Sequence, residues 1–158
     1  MERGVAIRIG VISDTHGLLR PEALQALEGS ELIVHAGDVG SPEILKRLRV
    51  IARTLAVRGN VDTQPWAQTL PLTEVVQAES RHLYVLHDLA TLDLDPKAAG
   101  FAAVISGHSH KPVAETRDGV LYLNPGSAGP RRFSLPICLA RLRLTGDRLD
   151  YEFIDLDT

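Results

Sequence analysis

The stretch ISGHSHKPV, residues 105–113, places His108 and His110 two apart, directly after the apolar run FAAVIS. On an extended backbone, side chains at i and i+2 point to one side, roughly 6–7 Å apart along the chain. Two imidazoles so placed reach one metal ion, or two ions sharing a site; taken alone, the pair reads equally as a solvated loop. Other residues of the same chemistry decide between these. Asp14 and His16 lie in SDTHG, Asp38 in HAGDVG, Asn60 in RGNVD, and His87 ends RHLYVLH. Carboxylates mixed with imidazoles, and no thiolate among them, favour Mn²⁺, Fe, Zn²⁺ or Ni²⁺ over a structural zinc site. Seven donors exceed what one ion takes when positions must stay open for water. Two ions about 3.5–4 Å apart, bridged by one carboxylate, use them all. Two carboxylates against four metal charges leave a positive surplus, which prefers an anion, and phosphate esters fit.

The elements that must position these residues can be read around them. VAIRIGVIS (5–13) is β-branched and apolar, a first buried strand. Pro21 followed by EALQALEG gives a short helix closed by Gly29. ELIVHAGD (31–38) is a second strand, Ser41-Pro42 caps a helix over EILKRLRV, and RTLAVRGN (53–60) is a third strand. This β-α-β-α-β order argues a parallel sheet with crossover helices. After Pro71 the texture becomes strand-rich: LTEVVQA, RHLYVLH, FAAVISG, KPVAETRDGVLYLN and ICLARLRLTGDRLDYEFIDL, with RDG and TGD as hairpin turns. One α/β domain over 1–158 is expected, with two mixed sheets and helices outside. Every candidate donor then falls at the end of a strand, where sites of open α/β sheets assemble. Gly37, Gly59 and Gly107 each precede a donor, where a tight turn lets backbone pass close to an ion. Singly, Asp14 reads as a helix cap, His16 as a loop residue, Asp38 as a turn cap and Asn60 as a left-handed turn residue. Jointly, those readings need a coincidence at each strand end.

The ordered set DTH, GD, GN, a lone His and GHSH resembles the calcineurin-like metallophosphoesterase superfamily. NPGS at 124–127 and the short length are similar to its small YfcE-type phosphodiesterase branch. The resemblance runs from about residue 7 to 133 and implies a four-layer α/β/β/α sandwich of two mixed β-sheets flanked by helices. Carried over by position, it implies one metal on Asp14, His16, Asp38 and His110. It implies a second on Asn60, His87 and His108, with Asp38 as the bridge. Manganese is the first expectation for the two divalent ions, with nickel, iron and zinc as alternatives. The implied mechanism is in-line attack on phosphorus by a metal-bridging hydroxide, with Asp38, Asn60 and His108 at the reaction centre. Asn60 and Arg131 are expected on the substrate, Arg131 and Arg132 following the glycine turn in NPGSAGPRR; solvated surface is the other reading of the two arginines.

The chain departs from the family pattern at two places. Val61 follows Gly-Asn where many members carry a leaving-group-protonating His, which implies slow turnover and a preference for good leaving groups. Leu89 stands where the branch has a second His after the lone one, so pocket shape is expected to differ. His35 is expected near the site or in the core, and His82 at an exposed strand start. Trp66 is read as a nucleobase stack, a contact between copies or a lid.

The 158 residues are 44% hydrophobic and 23% charged with a formal charge of −3, ordinary for a globule and without a strong nucleic-acid footprint. The single cysteine, Cys138, excludes a disulfide framework and reads as a small core residue. No stretch approaches a membrane span, and a cytoplasmic protein acting on a small phosphodiester is expected. Assembly with copies of itself stays open. Two rival functions stand beside the phosphodiesterase. One is a catalytically weak interaction scaffold on the same fold, like the retromer subunit of this superfamily. The other is a phosphomonoesterase or nucleotide hydrolase.

Overall fold

The computed structural model describes residues 6–156. Among these residues, ten strands form two five-stranded sheets. In the first, β1 (Ile7–Ile12), β2 (Leu32–His35) and β3 (Arg53–Ala56) are parallel. The crossovers are α1 (Pro21–Leu27) and α2 (Pro42–Ile51), as β-α-β-α-β order requires. The final hairpin, β9 (Cys138–Thr145) and β10 (Arg148–Asp155), returns to this sheet and pairs antiparallel beside β1, giving the order β10-β9-β1-β2-β3. The second sheet has the order β4-β5-β6-β8-β7, from β4 (Thr73–Ala78), β5 (Arg81–Leu86), β6 (Ala103–Ile105), β7 (Val113–Arg117) and β8 (Val120–Asn124). Its centre, β5, β6 and β8, is parallel, with antiparallel edges. Val5, the expected start of the first strand, lies outside the described residues.

Strand alternation builds the layers. Ile9 and Val11 of β1 join Val34, Val76, Val85, Ile105, Leu123 and Leu142 in the core between the sheets. The opposite face of the first sheet, with Ile12, Ile33 and Leu139, is covered by Leu27 of α1 and Leu45 and Leu48 of α2. A buried side chain of this size contributes roughly 1.5–3 kcal/mol. Helix α2 begins where the sequence predicts: Ser41 accepts from the Glu43 amide at 3.2 Å, and Pro42 follows it. The outer face of the second sheet is covered more thinly. Leu89, Leu92, Leu94 and Phe101 pack on Tyr84, Leu86, Val104 and Val120. They come from the stretch around a 3-10 turn and a third, four-residue helix α3 (Pro96–Ala99) that the sequence reading passed over. Both turn signals hold: Asp118 and Gly119 at β7–β8, and Gly146 at β9–β10, have positive φ. Cys138 is buried in the core, where burial and the charge of Asp155 push its thiol up to about 11. Trp66 is half-buried against the cluster beneath the helices, and its indole N–H donates to Gln64 at 3.0 Å.

Candidate metal centre

The C-terminal ends of β1, β2, β3, β5 and β6 converge, and all seven predicted donors meet there. Their backbones are unusual. Asp14, His16, Asp38, His108 and His110 have φ of 56°, 47°, 57°, 72° and 65°, five of the eight non-glycine residues with positive φ among the described residues. Such left-handed positions cost energy and persist only where the surroundings over-determine them, which is typical of functional loops. This corrects the extended-strand picture of residues 108–110. β6 ends at Ile105, and the Ser109 amide closes a turn onto the Gly107 carbonyl at 2.8 Å. The two histidines therefore reach the centre from a left-handed turn rather than from one side of a strand.

Asp14 is wholly buried. Its Oδ2 accepts from the Ser13 hydroxyl at 2.7 Å and the His108 amide at 3.1 Å. Its Oδ1 is buried without a hydrogen bond. That oxygen faces three imidazole nitrogens: Nε2 of His110 at 3.4 Å, of His16 at 3.8 Å and of His87 at 4.0 Å. The Nε2 atoms of His16 and His110 lie 3.4 Å apart. An unsatisfied buried carboxylate oxygen is costly, and a cation among these atoms satisfies it. Burial raises the Asp14 pKa, the Ser13 hydrogen bond and His87 charge offsetting it only in part. A doubly charged ion at this point opposes that rise.

Asp38 joins the two halves. Its Oδ1 accepts from the Val61 amide at 3.0 Å. Its Oδ2 lies 3.7 Å from His16 Nε2 and 3.2 Å from His87 Nε2, so one oxygen is common to both sides. Burial opposes ionisation of Asp38, but the hydrogen bond from His87, the Val61 amide and the charges of His87 and His16 outweigh it and lower its pKa to about 2. In the second half, Asn60 Oδ1 lies 3.0 Å from His87 Nε2 and 3.2 Å from His108 Nδ1. His87 Nδ1 donates to the Ala36 carbonyl at 2.7 Å, which leaves Nε2 to face the donors. Burial disfavours a charged His87. Its bonds to Asp38 and Ala36 and the charges of Asp38 and Asp14 prevail and raise its pKa. His110 moves the other way, lowered to about 4 by burial and then by the charges of Arg132 and His16. Two groups of donor atoms lie within 4.8 Å of one another: Asp14, His16 and His110, and Asp14, Asp38 and His87. The donor set thus fits divalent cations.

The glycines read from the sequence earn their places by close approach. A β-carbon on Gly59 would overlap the backbone nitrogen and Oδ1 of Asp38; one on Gly107 would overlap Ser13 Oγ and lie 2.7 Å from Asp14 Oδ2. Several supporting residues escaped the sequence reading. Asn124 donates to the Gly107 carbonyl at 2.9 Å and to Ser109 Oγ at 3.1 Å, and accepts from Gly126 at 2.9 Å. Ser127 donates to the Asp14 carbonyl at 3.1 Å. The NPGS segment therefore buttresses the loops carrying Asp14, His108 and His110, a role its position after a strand end could have signalled. His35, fully buried, accepts from the Gly37 amide at Nδ1 (3.1 Å), so Nε2 carries the proton given to Thr15 Oγ1 at 2.9 Å. Thr15 in turn donates to the Val39 carbonyl at 2.8 Å. Burial, then the charge of His87, lowers the His35 pKa to about 3. Arg131 donates to the Leu135 carbonyl in its own loop at 3.2 Å, and the charge felt by His110 is that of Arg132. His82 is partly exposed at the start of β5. A cavity of about 640 Å³ opens against Asn60, His87 and His108, with Arg58, Asp88 and Leu72 in its walls.

Comparison with known proteins identifies the family. The model of the calcineurin-like phosphoesterase superfamily domain matches residues 7–147. A probable metallophosphoesterase of Methanothermobacter thermautotrophicus is 37% identical over 158 residues, covering 92% of this chain and 91% of that protein. The phosphodiesterase YfcE of Escherichia coli strain K12 is 31% identical over 145 residues, covering 73% of this chain and 76% of that one. Among solved structures, vacuolar protein sorting 29 of Cryptosporidium parvum superposes with a TM-score of 0.76 at 18% identity, covering 95% of this chain and 97% of that one, a likeness of fold alone. No helix among the described residues is long and apolar enough to cross a membrane. With the domain model spanning most of the chain and relatives of this identity, the chain belongs to the calcineurin-like phosphoesterase superfamily and is a phosphoesterase.

Proposed function

We propose that this protein is a metal-dependent phosphodiesterase working with two divalent ions, manganese first among the candidates. Asp14, His16, Asp38 and His110 would hold one ion, and Asn60, His87 and His108 the other, with Asp38 shared. The observation that carries this reading is the Asp38 carboxylate, whose Oδ2 faces an imidazole of each half while the Val61 amide caps its Oδ1. When bound, two such ions supply charge for the phosphoryl oxygens and a water acidified enough to attack phosphorus at neutral pH. The protein orients everything else. Asn60 turns its carbonyl oxygen to His87 and His108, which leaves its amide nitrogen to donate to a phosphoryl oxygen of a substrate seated in the adjoining cavity. Arg132, whose charge reaches His110, would add positive charge for the same anion, and Arg131 could join it only by leaving the Leu135 carbonyl. No protein nucleophile is required, and Cys138, buried with a raised pKa, is unsuited to be one.

The scaffold reading draws on the likeness to vacuolar protein sorting 29. The complete set of seven donors, each oriented by hydrogen bonds or burial, favours catalysis. The test is hydrolysis of a p-nitrophenyl phosphodiester and its monoester by metal-stripped protein, with Mn²⁺, Ni²⁺, Zn²⁺ or Mg²⁺ restored singly. Diester cleavage should return with metal and fall at least roughly a hundredfold in Asp38→Asn, since the shared carboxylate loses its charge. Faster monoester cleavage would move the protein to the phosphomonoesterases. Metal binding without cleavage of either ester would give the lead to a scaffold role.

A further inference from the structure

Asp62 stands two residues beyond Asn60 and is 3% exposed, yet its carboxylate does not turn toward the donor atoms. Its partners are three backbone amides. Oδ2 accepts from Val39 at 3.1 Å and Gly59 at 2.9 Å, and Oδ1 accepts from Gly40 at 3.0 Å. Val39 and Gly40 directly follow Asp38, and Gly59 directly precedes Asn60. One carboxylate thus ties the loop after β2 to the loop after β3, the two loops that supply the shared oxygen and the amide donor.

The loop after β2 has a second set of ties, to the loop after β1, that does not involve Asp62. The His16 amide donates to the Asp38 carbonyl at 2.9 Å, the Gly17 amide to the Val39 carbonyl at 2.8 Å, and Thr15 Oγ1 to the same carbonyl at 2.8 Å. The half of the centre built on Asp14, His16 and His110 is therefore braced independently. Across to Asn60, the hydrogen bonds of the Asp38 loop among the described residues are those to the Asp62 carboxylate and from the neighbouring Val61 amide.

We infer that Asp62 is a positioning residue: it sets the separation of Asp38 from Asn60 and so completes the donor set of the second ion, touching neither ion nor substrate. This rests on the two-ion reading above. The chemistry requires an acceptor-only group, because three N–H donors converge on two oxygens. In an amide of the same shape, the NH₂ group must face at least one of those N–H donors. Asp62→Asn keeps at most the Val39 and Gly59 bonds and sets a donor against Gly40. Asp62→Ala loses all three.

Calorimetric titration of metal-stripped protein with Mn²⁺ tests this without reading activity. The wild type should bind two equivalents. Asp62→Asn should keep its first-ion affinity and lose roughly ten- to a hundredfold in the second, the range for residues that orient ligands; Asp62→Ala should lose more. A merely structural role would lower the melting temperature of the variants and leave the ratio of the two affinities as in the wild type, overturning the inference while the two-ion reading stands. A wild type that binds a single equivalent would overturn both. A measurement on the wild type covers the case in which neither variant folds. The amides of Val39, Gly40 and Gly59 should be protected from hydrogen exchange together, and slow further when the second equivalent binds. Exchange at the rate of open loops would overturn the assignment.

Discussion

Val61 contributes through its backbone: the amide donates to Asp38 Oδ1 at 3.0 Å, while the side chain is 45% exposed beside the centre. A leaving group departing from phosphorus carries negative charge, and an acid within reach typically contributes about 10²–10⁴-fold. Val61→His keeps the amide contact and adds an imidazole at the surface next to Asn60. It should accelerate hydrolysis of alkyl diesters, whose leaving groups are poor, by at least roughly tenfold, with little change for p-nitrophenyl esters. Paired kcat/KM measurements on the two ester classes check this. Equal rates in variant and wild type for both classes would place the acid on another residue. The same single-residue logic separates the two carboxylates of the centre: Asp14 Oδ1 is buried without a hydrogen bond, whereas Asp38 Oδ1 accepts from the Val61 amide and Asp38 Oδ2 lies 3.2 Å from His87 Nε2.

At the scale of elements, the centre is a set of turns held against one another at the ends of strands. Gly59 lies where the turn after β3 crosses the backbone of Asp38, and a β-carbon there would strike the Asp38 nitrogen, a backbone atom rather than the end of a flexible side chain. Gly59→Ala should lower stability by roughly 1–3 kcal/mol, the range for overpacking, and should abolish metal-restored hydrolysis. Urea denaturation of the variant checks the loss; an unchanged midpoint would mean that the Gly59 turn adjusts freely. The strand-end positions of Asp14, Asp38, Asn60, His87, His108 and His110 were legible because apolar periodicity stops abruptly at polar residues there. The left-handed backbone of five donors was not, since isolated Asp and His residues adopt that conformation only under tertiary constraint. The clamp by Asp62 and the buttress by Asn124 were hidden for a related reason: both reach amides and carbonyls of sequence-distant turns, which no local pattern encodes. Helix α3 spans four residues, too short for a hydrophobic period to form.

For the whole molecule, the packing that builds the centre also makes the metal-free protein sensitive to acid. His35 and His110 titrate at about 3 and about 4 in the folded state, against 6.5 for an ordinary histidine. As pH falls below 6.5, the unfolded chain takes up protons at both positions while the folded chain excludes them. Stability must therefore fall toward pH 4, by up to about 1.4 kcal/mol per pH unit for each group. His87 has the opposite sign. Its raised pKa stabilises the fold below 6.5, and that contribution is lost as pH rises through its folded value. Asp38, lowered from 3.8 to about 2, adds stability that is complete above 3.8 and disappears only as pH falls toward 2. Asp14, whose pKa burial raises above 3.8, acts against the two histidines as pH falls, so two excluded protons stand against one retained and a net decline below pH 6 remains. Urea midpoints at pH 7, 6 and 5 should fall in the wild type. In His35→Asn they should start lower, because the Thr15 contact is gone, yet fall less steeply, because one of the excluded protons no longer counts. Parallel slopes in the two proteins would mean that His35 protonates alike in folded and unfolded chains, and that the acid sensitivity comes from the donor cluster alone.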